Sequence, residues 1–221
     1  ALTCSNYIDF ESSSFSLDRE FANARKVVTA WFAPGTMQKT ILEKVGERAI
    51  LLPFFIDYNT FSHVEADKQA ICEKLSIPYA LLRYKAVIGS FQRDSLGSNL
   101  DQPKWQKNPD GLVTLLKDMP KDKYILLLAG PRRHYIIKKC KEYAIPYYFV
   151  GRETEADDFL ANALDITIMP YLYRLLDFYL VTSASEGGPK AVLESSASGI
   201  LCMSTRVGLA PDYLHPDVVF D

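Results

Sequence analysis

The chain has 221 residues, 48% of them hydrophobic and 24% charged, which is the composition of an ordinary globular protein whose core needs no disulfide staples. Its 25 Lys and Arg against 27 Asp and Glu give a formal net charge of −2, so no bulk positive field points to nucleic acid or a membrane surface, and any anion site must be local. No apolar run approaches the roughly 20 residues that span a bilayer, so no transmembrane segment is expected.

Residues 5–16 are polar and Ser-rich. Short apolar runs then alternate with amphipathic stretches to the end of the chain. "KVVTAWF" and "RAILLPFF" read as two strands in residues 1–57, too few for a full α/β lobe, so this part is expected to be a short or truncated N-terminal lobe. The chain begins with Ala rather than Met, as a processed or excised piece would. "FFIDYNTFSH" reads as a connector into a second domain, residues 58–221. There "HVEADKQAICEKL" sets Val64, Ile71 and Leu75 near one helical face. "KAVIGSF" and "YILLLAG" are buried parallel strands by their length and closing Gly or Ser. "RRHYIIKKCKEYA" sets Ile136, Cys140 and Ala144 at fourth positions of a helix, and "YYFVG", "FYLVTS" and "GILCMS" supply further strands. Strand and helix in steady alternation predict an α/β fold built on a Rossmann-like parallel sheet with right-handed crossovers.

Cys4, Cys72, Cys140 and Cys202 are isolated, with neither Cys-x-x-Cys spacing nor a neighbouring His, so a reduced, cytoplasmic setting is expected and no metal set is visible. His63, His134 and His215 are scattered. Tyr135 and Lys139 have the Tyr-x-x-x-Lys spacing of short-chain dehydrogenases, but no Gly-x-Gly-x-x-G accompanies them, and the pair reads as an ordinary helix surface.

The densest chemistry lies in "TSASEGGPKAVLESSASG", where Glu186 and Glu194 stand eight positions apart around a Gly-Gly-Pro turn. A strand to about Thr182, a loop through Glu186 and a helix from about Pro189 would place this turn outside the carboxyl end of a strand, where open α/β sheets bind ligands. Gly187 and Gly188 let backbone amides approach an anion, and the helix dipole adds positive potential. The flanking carboxylates would repel a phosphate, so they must reach past it to hydroxyls on either side of a diphosphate. Read alone, the turn need do no more than start a helix with Glu194 on its solvated face.

In order and spacing, residues 25–215 resemble the family 4 retaining glycosyltransferases of the GT-B fold, through "RAILLPFFIDYNTF", "IGSFQRD", "KNPDGLVTLL", "YILLLAG", "LYRLLDFYLVTSASEGGPKAVLE" and "SGILCMSTRVG". The resemblance implies that residues 58–221 bind a nucleotide-diphosphate sugar, with Arg93 and Lys107 gripping the diphosphate and Lys104 competing for the role of Lys107. It implies that Glu186 contacts the donor sugar, Glu194 the ribose, and Gly187 and Gly188 the phosphates. Gly89 matches a strand-end glycine that lets substrate approach, and Lys190 is either a further phosphate contact or an exposed charge. It further implies retention of configuration, no cofactor, no metal, and a sugar, lipid-linked or protein acceptor at a cytoplasmic or peripheral-membrane location. The rival expectation is a nucleotide-sugar-binding lobe without transfer of its own, because most of the acceptor-side lobe is missing from the pattern.

Overall fold

The computed structural model describes residues 2–3, 21, 23–62 and 65–221. The Ser-rich stretch, Cys4, His63 and Val64 lie outside them. In chain order the elements are β1 (Leu2–Thr3), β2 (Trp31–Ala33), α1 (Thr36–Lys44), β3 (Ala49–Leu51), α2 (Tyr58–Ser62), α3 (Lys68–Leu75), α4 (Tyr79–Leu82), β4 (Ala86–Ser90), α5 (Pro109–Leu116), β5 (Tyr124–Ala129), α6 (His134–Glu142), β6 (Tyr147–Val150), α7 (Met169–Leu175), β7 (Phe178–Val181), α8 (Lys190–Ala197), β8 (Leu201–Thr205), α9 (Ala210–Tyr213) and β9 (Val219–Phe220).

The second part is an α/β fold whose six strands are all parallel, in the order β6-β5-β4-β7-β8-β9. Its strands read as continuous apolar runs because helices cover both faces. Along β5, Ile125 and Leu127 enter one core with Val87, Ile71, Leu172 and Val192, while Tyr124, Leu126 and Leu128 enter the other with Ile88, Leu112 and Ile136. The chain runs outward from β4 through β5 to β6, then returns to lay β7 on the other flank of β4. Strand order reverses there, which opens a crevice at the carboxyl ends of β4 and β7.

The first part has a small parallel sheet, β1-β2-β3, one strand more than the two read from the sequence. Trp31, Ala33 and Leu42 form its own core. Beyond it, Phe54 and Ile56 pack against the core of the large sheet, and Phe61 is buried in that core.

Three helix starts and ends differ from the sequence pattern. Asp67 caps α3 by accepting the Ala70 amide at 2.8 Å, so that helix begins later than "HVEADK" indicates. Ile136 and Cys140 are buried on α6 as expected, but the helix stops before Ala144, which takes a left-handed φ of 52°. Pro189 sits at the N-cap of α8 with ψ at 103°, and the first helical residue is Lys190.

Candidate functional site

Three chain segments meet in the crevice and are laced together by backbone. The amides of Ala184 and Ser185, after β7, donate to Gln106 O at 2.9 and 3.2 Å. Gln92, after β4, donates its Nε2 hydrogen to Lys107 O at 3.1 Å, and Thr182 Oγ1 donates to Asn108 O at 3.2 Å. Asn108 in turn accepts the Gly111 amide at 3.1 Å, capping α5 with Pro109 in its first position. Lys107 is therefore held at the end of a 3-10 turn, Trp105–Lys107, that leans on the loop carrying Glu186.

The crevice holds a cavity of about 210 Å³ whose lining includes Lys107, Glu186, Lys190 and Glu194. Four of the residues named from sequence thus converge on one space. Lys107 Nζ forms an ion pair with Glu186 Oε1, and Ser183 Oγ donates to the same oxygen at 2.9 Å. Glu194 Oε2 accepts the Tyr173 hydroxyl hydrogen at 2.8 Å. Burial pushes the Glu194 carboxyl above its usual range, against the hydrogen bond from Tyr173 and the charge of Lys190. Glu186 is thus neutralised in place, whereas Glu194 is positioned by a neutral donor.

The other named residues lie outside the cavity lining. Arg93 is exposed, with its guanidinium carbon 5.6 Å from the centre of the Phe159 ring. A Cβ at Gly89 would lie 2.2 Å from Leu176 Cδ1 and 3.0 Å from Tyr179 Cδ2, so this glycine makes room for protein side chains. At Gly188 a Cβ would lie 2.5 Å from Phe54 Cδ2. The carbonyl oxygen of Gly187 would be 2.7 Å from a Cβ at Gly208, so the glycine turn is threaded between two neighbouring segments. Lys104 is partly buried beside the Lys107 turn, and burial together with the Arg93 and Lys107 charges holds its ammonium below the usual lysine range. Tyr135 donates to Asp110 at 2.7 Å and Lys139 pairs with Glu142 at 2.8 Å, which accounts for that spacing as helix surface.

Several contributors carry no sequence signal. Arg133 and Asp94, fully buried, are ion-paired at 2.8 Å, and Arg133 donates to Gln92 O and, at 3.3 Å, to Ser90 Oγ. Burial raises the Asp94 carboxyl to about 6, with Arg133 and Lys107 opposing the shift. From the first part of the chain, Gln38 Nε2 donates to Glu186 O at 2.9 Å. A larger hollow, about 630 Å³, lies between α6 and the loop after β6, but contains none of the donor-site residues named from sequence, and its Lys and Arg are matched by Asp and Glu. Among the described residues no group of three or more His, Cys, Asp and Glu could hold a metal ion, and no helix is long and apolar enough to cross a membrane.

A search of curated proteins by sequence finds no match. Solved structures do match. HepE of Anabaena in complex with UDP is 18% identical with a TM-score of 0.69, over 99% of this chain and 56% of that one. Sucrose-phosphate synthase of Thermosynechococcus elongatus is 15% identical with a TM-score of 0.67, over 94% and 50%. An α,α-trehalose-phosphate synthase (UDP-forming) of Burkholderia vietnamiensis is 11% identical with a TM-score of 0.66, over 92% and 50%. The chain therefore spans about half the length of the structures it resembles. At these identities the likeness shows the fold, which is the parallel α/β arrangement of GT-B glycosyltransferases. The family model "Glycosyl transferases group 1" matches residues 99–219, more than half of the chain and the whole stretch from the Lys107 turn to β9, so the chain belongs to this glycosyltransferase family.

Proposed function

We propose that residues 58–221 form the donor-binding domain of a retaining, metal-independent transferase, with residues 1–57 as part of its acceptor-side lobe. The donor is a nucleotide-diphosphate sugar. The observation that carries this reading is the convergence of Lys107, Glu186, Lys190 and Glu194 on one cavity at the point where strand order reverses. Two carboxylate acceptors in one cavity suit hydroxyl-bearing rings, and the two lysines that share its lining suit a diphosphate.

In this reading Glu194 accepts from the ribose and Glu186 from the donor sugar. Lys107, paired with Glu186 in the free protein, shares its charge with the leaving diphosphate as the glycosidic bond breaks. That is electrostatic stabilisation of developing charge by a group already in place. Transfer proceeds on the front face of the sugar, with the leaving phosphate assisting the incoming hydroxyl. The acceptor is a sugar, lipid-linked or protein hydroxyl.

Because the chain spans about half of the matched structures, a second reading keeps the donor site and omits turnover: nucleotide-sugar binding without transfer. Calorimetric titration of the chain, in chelator, with UDP, UDP-glucose and their adenine and guanine counterparts tests the donor site. Saturable binding of one of them without added metal supports it, and binding that appears only with magnesium or manganese overturns metal independence. Transfer assays with a bound donor then separate the two readings.

A further inference from the structure

Glu194 and Glu186 are joined along the cavity wall by an unbroken series of contacts, and Tyr179 stands in its middle. Tyr173 donates to Glu194 at 2.8 Å, and its ring centre lies 5.4 Å from that of Tyr179. The Tyr179 oxygen accepts the Phe91 amide hydrogen at 2.9 Å. Gln92, the next residue, lies 3.3 Å from Ser183 Oγ, which donates to Glu186 at 2.9 Å.

The two phenols differ in what their hydrogens do. That of Tyr173 is used on Glu194. That of Tyr179 has no acceptor among the described residues, where the hydroxyl's one hydrogen bond is the one it accepts from the Phe91 amide. Tyr179 is 2% exposed and lines the cavity, so an acceptor for this hydrogen must enter from the cavity side. A buried hydroxyl with an unused hydrogen beside a cavity is a donor waiting for an acceptor.

Local structure explains how the hydroxyl comes to be there. Tyr179 on β7 pairs in register with Gly89 on β4, and the missing side chain of Gly89 lets the tyrosine ring lie along that strand. The ring carries the hydroxyl to the end of β4, where it takes the Phe91 amide and presents a single O–H in its place. Burial pushes the phenol far above its usual pKa, so it stays protonated.

We propose that Tyr179 is a donor-binding residue whose hydroxyl donates a hydrogen bond to a phosphate oxygen of the bound nucleoside diphosphate. The proposal rests on the donor reading above. A phosphate oxygen is chosen over a sugar hydroxyl because Glu186 and Glu194 already accept from the hydroxyls at either end, and Tyr179 lies between them. Phosphate oxygens accept only, which matches a group that offers only a hydrogen.

The test compares diphosphate with nucleoside. UDP, ADP and GDP, with uridine, adenosine and guanosine, are titrated into the wild-type chain and Tyr179→Phe. The diphosphate that binds best is expected to lose about ten-fold in affinity in Tyr179→Phe, while its nucleoside changes by less than about two-fold. Equal weakening of both, the mark of a purely structural role, overturns the proposal, as does no weakening of either. If the wild type binds none of the three diphosphates, the donor reading itself falls. A wild-type sample with ζ-13C tyrosine needs no variant: saturating diphosphate must shift a tyrosine ζ-carbon resonance that the nucleoside leaves in place, and an unchanged spectrum overturns the proposal.

Discussion

Lys107 and Glu186 form an ion pair inside the cavity, with side chains only 22% and 13% exposed, so the cation and the carboxylate matched to two parts of the donor hold each other in the free protein. Losing Lys107 leaves a largely desolvated carboxylate whose one remaining side-chain hydrogen bond among the described residues is from Ser183. Lys107→Ala is expected to lower stability by about 1–3 kcal/mol. Lys107→Ala with Glu186→Ala should cost less than the sum of the single changes, by at least about 0.5 kcal/mol. Denaturant unfolding of the four proteins measures this, and additive costs would show that the pair contributes nothing to folding.

Transfer should depend on Lys107 more strongly than binding does, because charge on the leaving diphosphate grows as the bond breaks. Removing one such group costs about 10²–10³ in kcat. Arg93 faces Phe159 outside the cavity, so Arg93→Ala should cost less than Lys107→Ala. Lys104→Ala, Lys107→Ala and Arg93→Ala are compared in an assay of the intact transferase. A normal rate for Lys107→Ala beside a large loss for Lys104→Ala would move the role to Lys104.

The sheet was legible because its strands are buried on both faces, and runs such as "YILLLAG" have no other plausible home. The convergence of Glu186 and Glu194 was legible because their spacing brackets one turn. Arg133 and Asp94 were not, since they stand 39 positions apart and only the parallel pairing of β4 with β5 brings their loops together. Gly89 shows where such a signal stays ambiguous. A strand-end glycine signals a close approach, but sequence cannot say whether ligand or protein approaches, and here Leu176 and Tyr179 do. Gln38 was hidden for another reason, as its partner is a backbone carbonyl 148 positions away, which no side-chain pattern marks.

Asp94 gives the fold a pH signature. Its carboxyl is raised from 3.8 to about 6 by burial, so between those values the folded state holds a proton that the unfolded state has lost. The stability this group contributes is fully present below about pH 4 and is lost as pH rises through about 6. Asp94→Asn removes the titration, so the stability of the wild type relative to Asp94→Asn should fall between pH 4 and 6 and stay level above 7. Urea unfolding across that range is the measurement. A difference that widens with rising pH would mean that attraction to Arg133 outweighs burial.

Gly89→Ala should destabilise the domain by about 1–3 kcal/mol, because its methyl group would lie 2.2 Å from Leu176 Cδ1 and 3.0 Å from Tyr179 Cδ2 in a packed core. Pairing it with Leu176→Ala should recover part of the loss by vacating that space. Thermal melting of the single and double variants decides this, and a Gly89→Ala protein that melts like the wild type would show that the strand yields freely.

Tyr173 and Glu194 supply the sharpest test of the roles assigned to the two acids. The ribose belongs to every nucleoside diphosphate, the sugar only to the full donor, so Glu194→Ala should weaken binding of the plain diphosphate more than Glu186→Ala does. A lost hydrogen bond to a charged group is worth about 1.5–3 kcal/mol. Tyr173→Phe adds a pH dimension, because it removes the donor that pulls the Glu194 pKa down against burial. The pKa of Glu194 then rises, and a larger fraction is protonated at any given acidic pH. Since the ribose hydroxyls need an ionised acceptor, the acid limb of diphosphate binding should move to higher pH in Tyr173→Phe while affinity well above that limb changes less. Calorimetry from pH 5 to 8 on wild type and the three variants reads this directly. An acid limb that stays in place in Tyr173→Phe, or a Glu186→Ala protein that loses as much diphosphate affinity as Glu194→Ala, would remove Glu194 from the ribose.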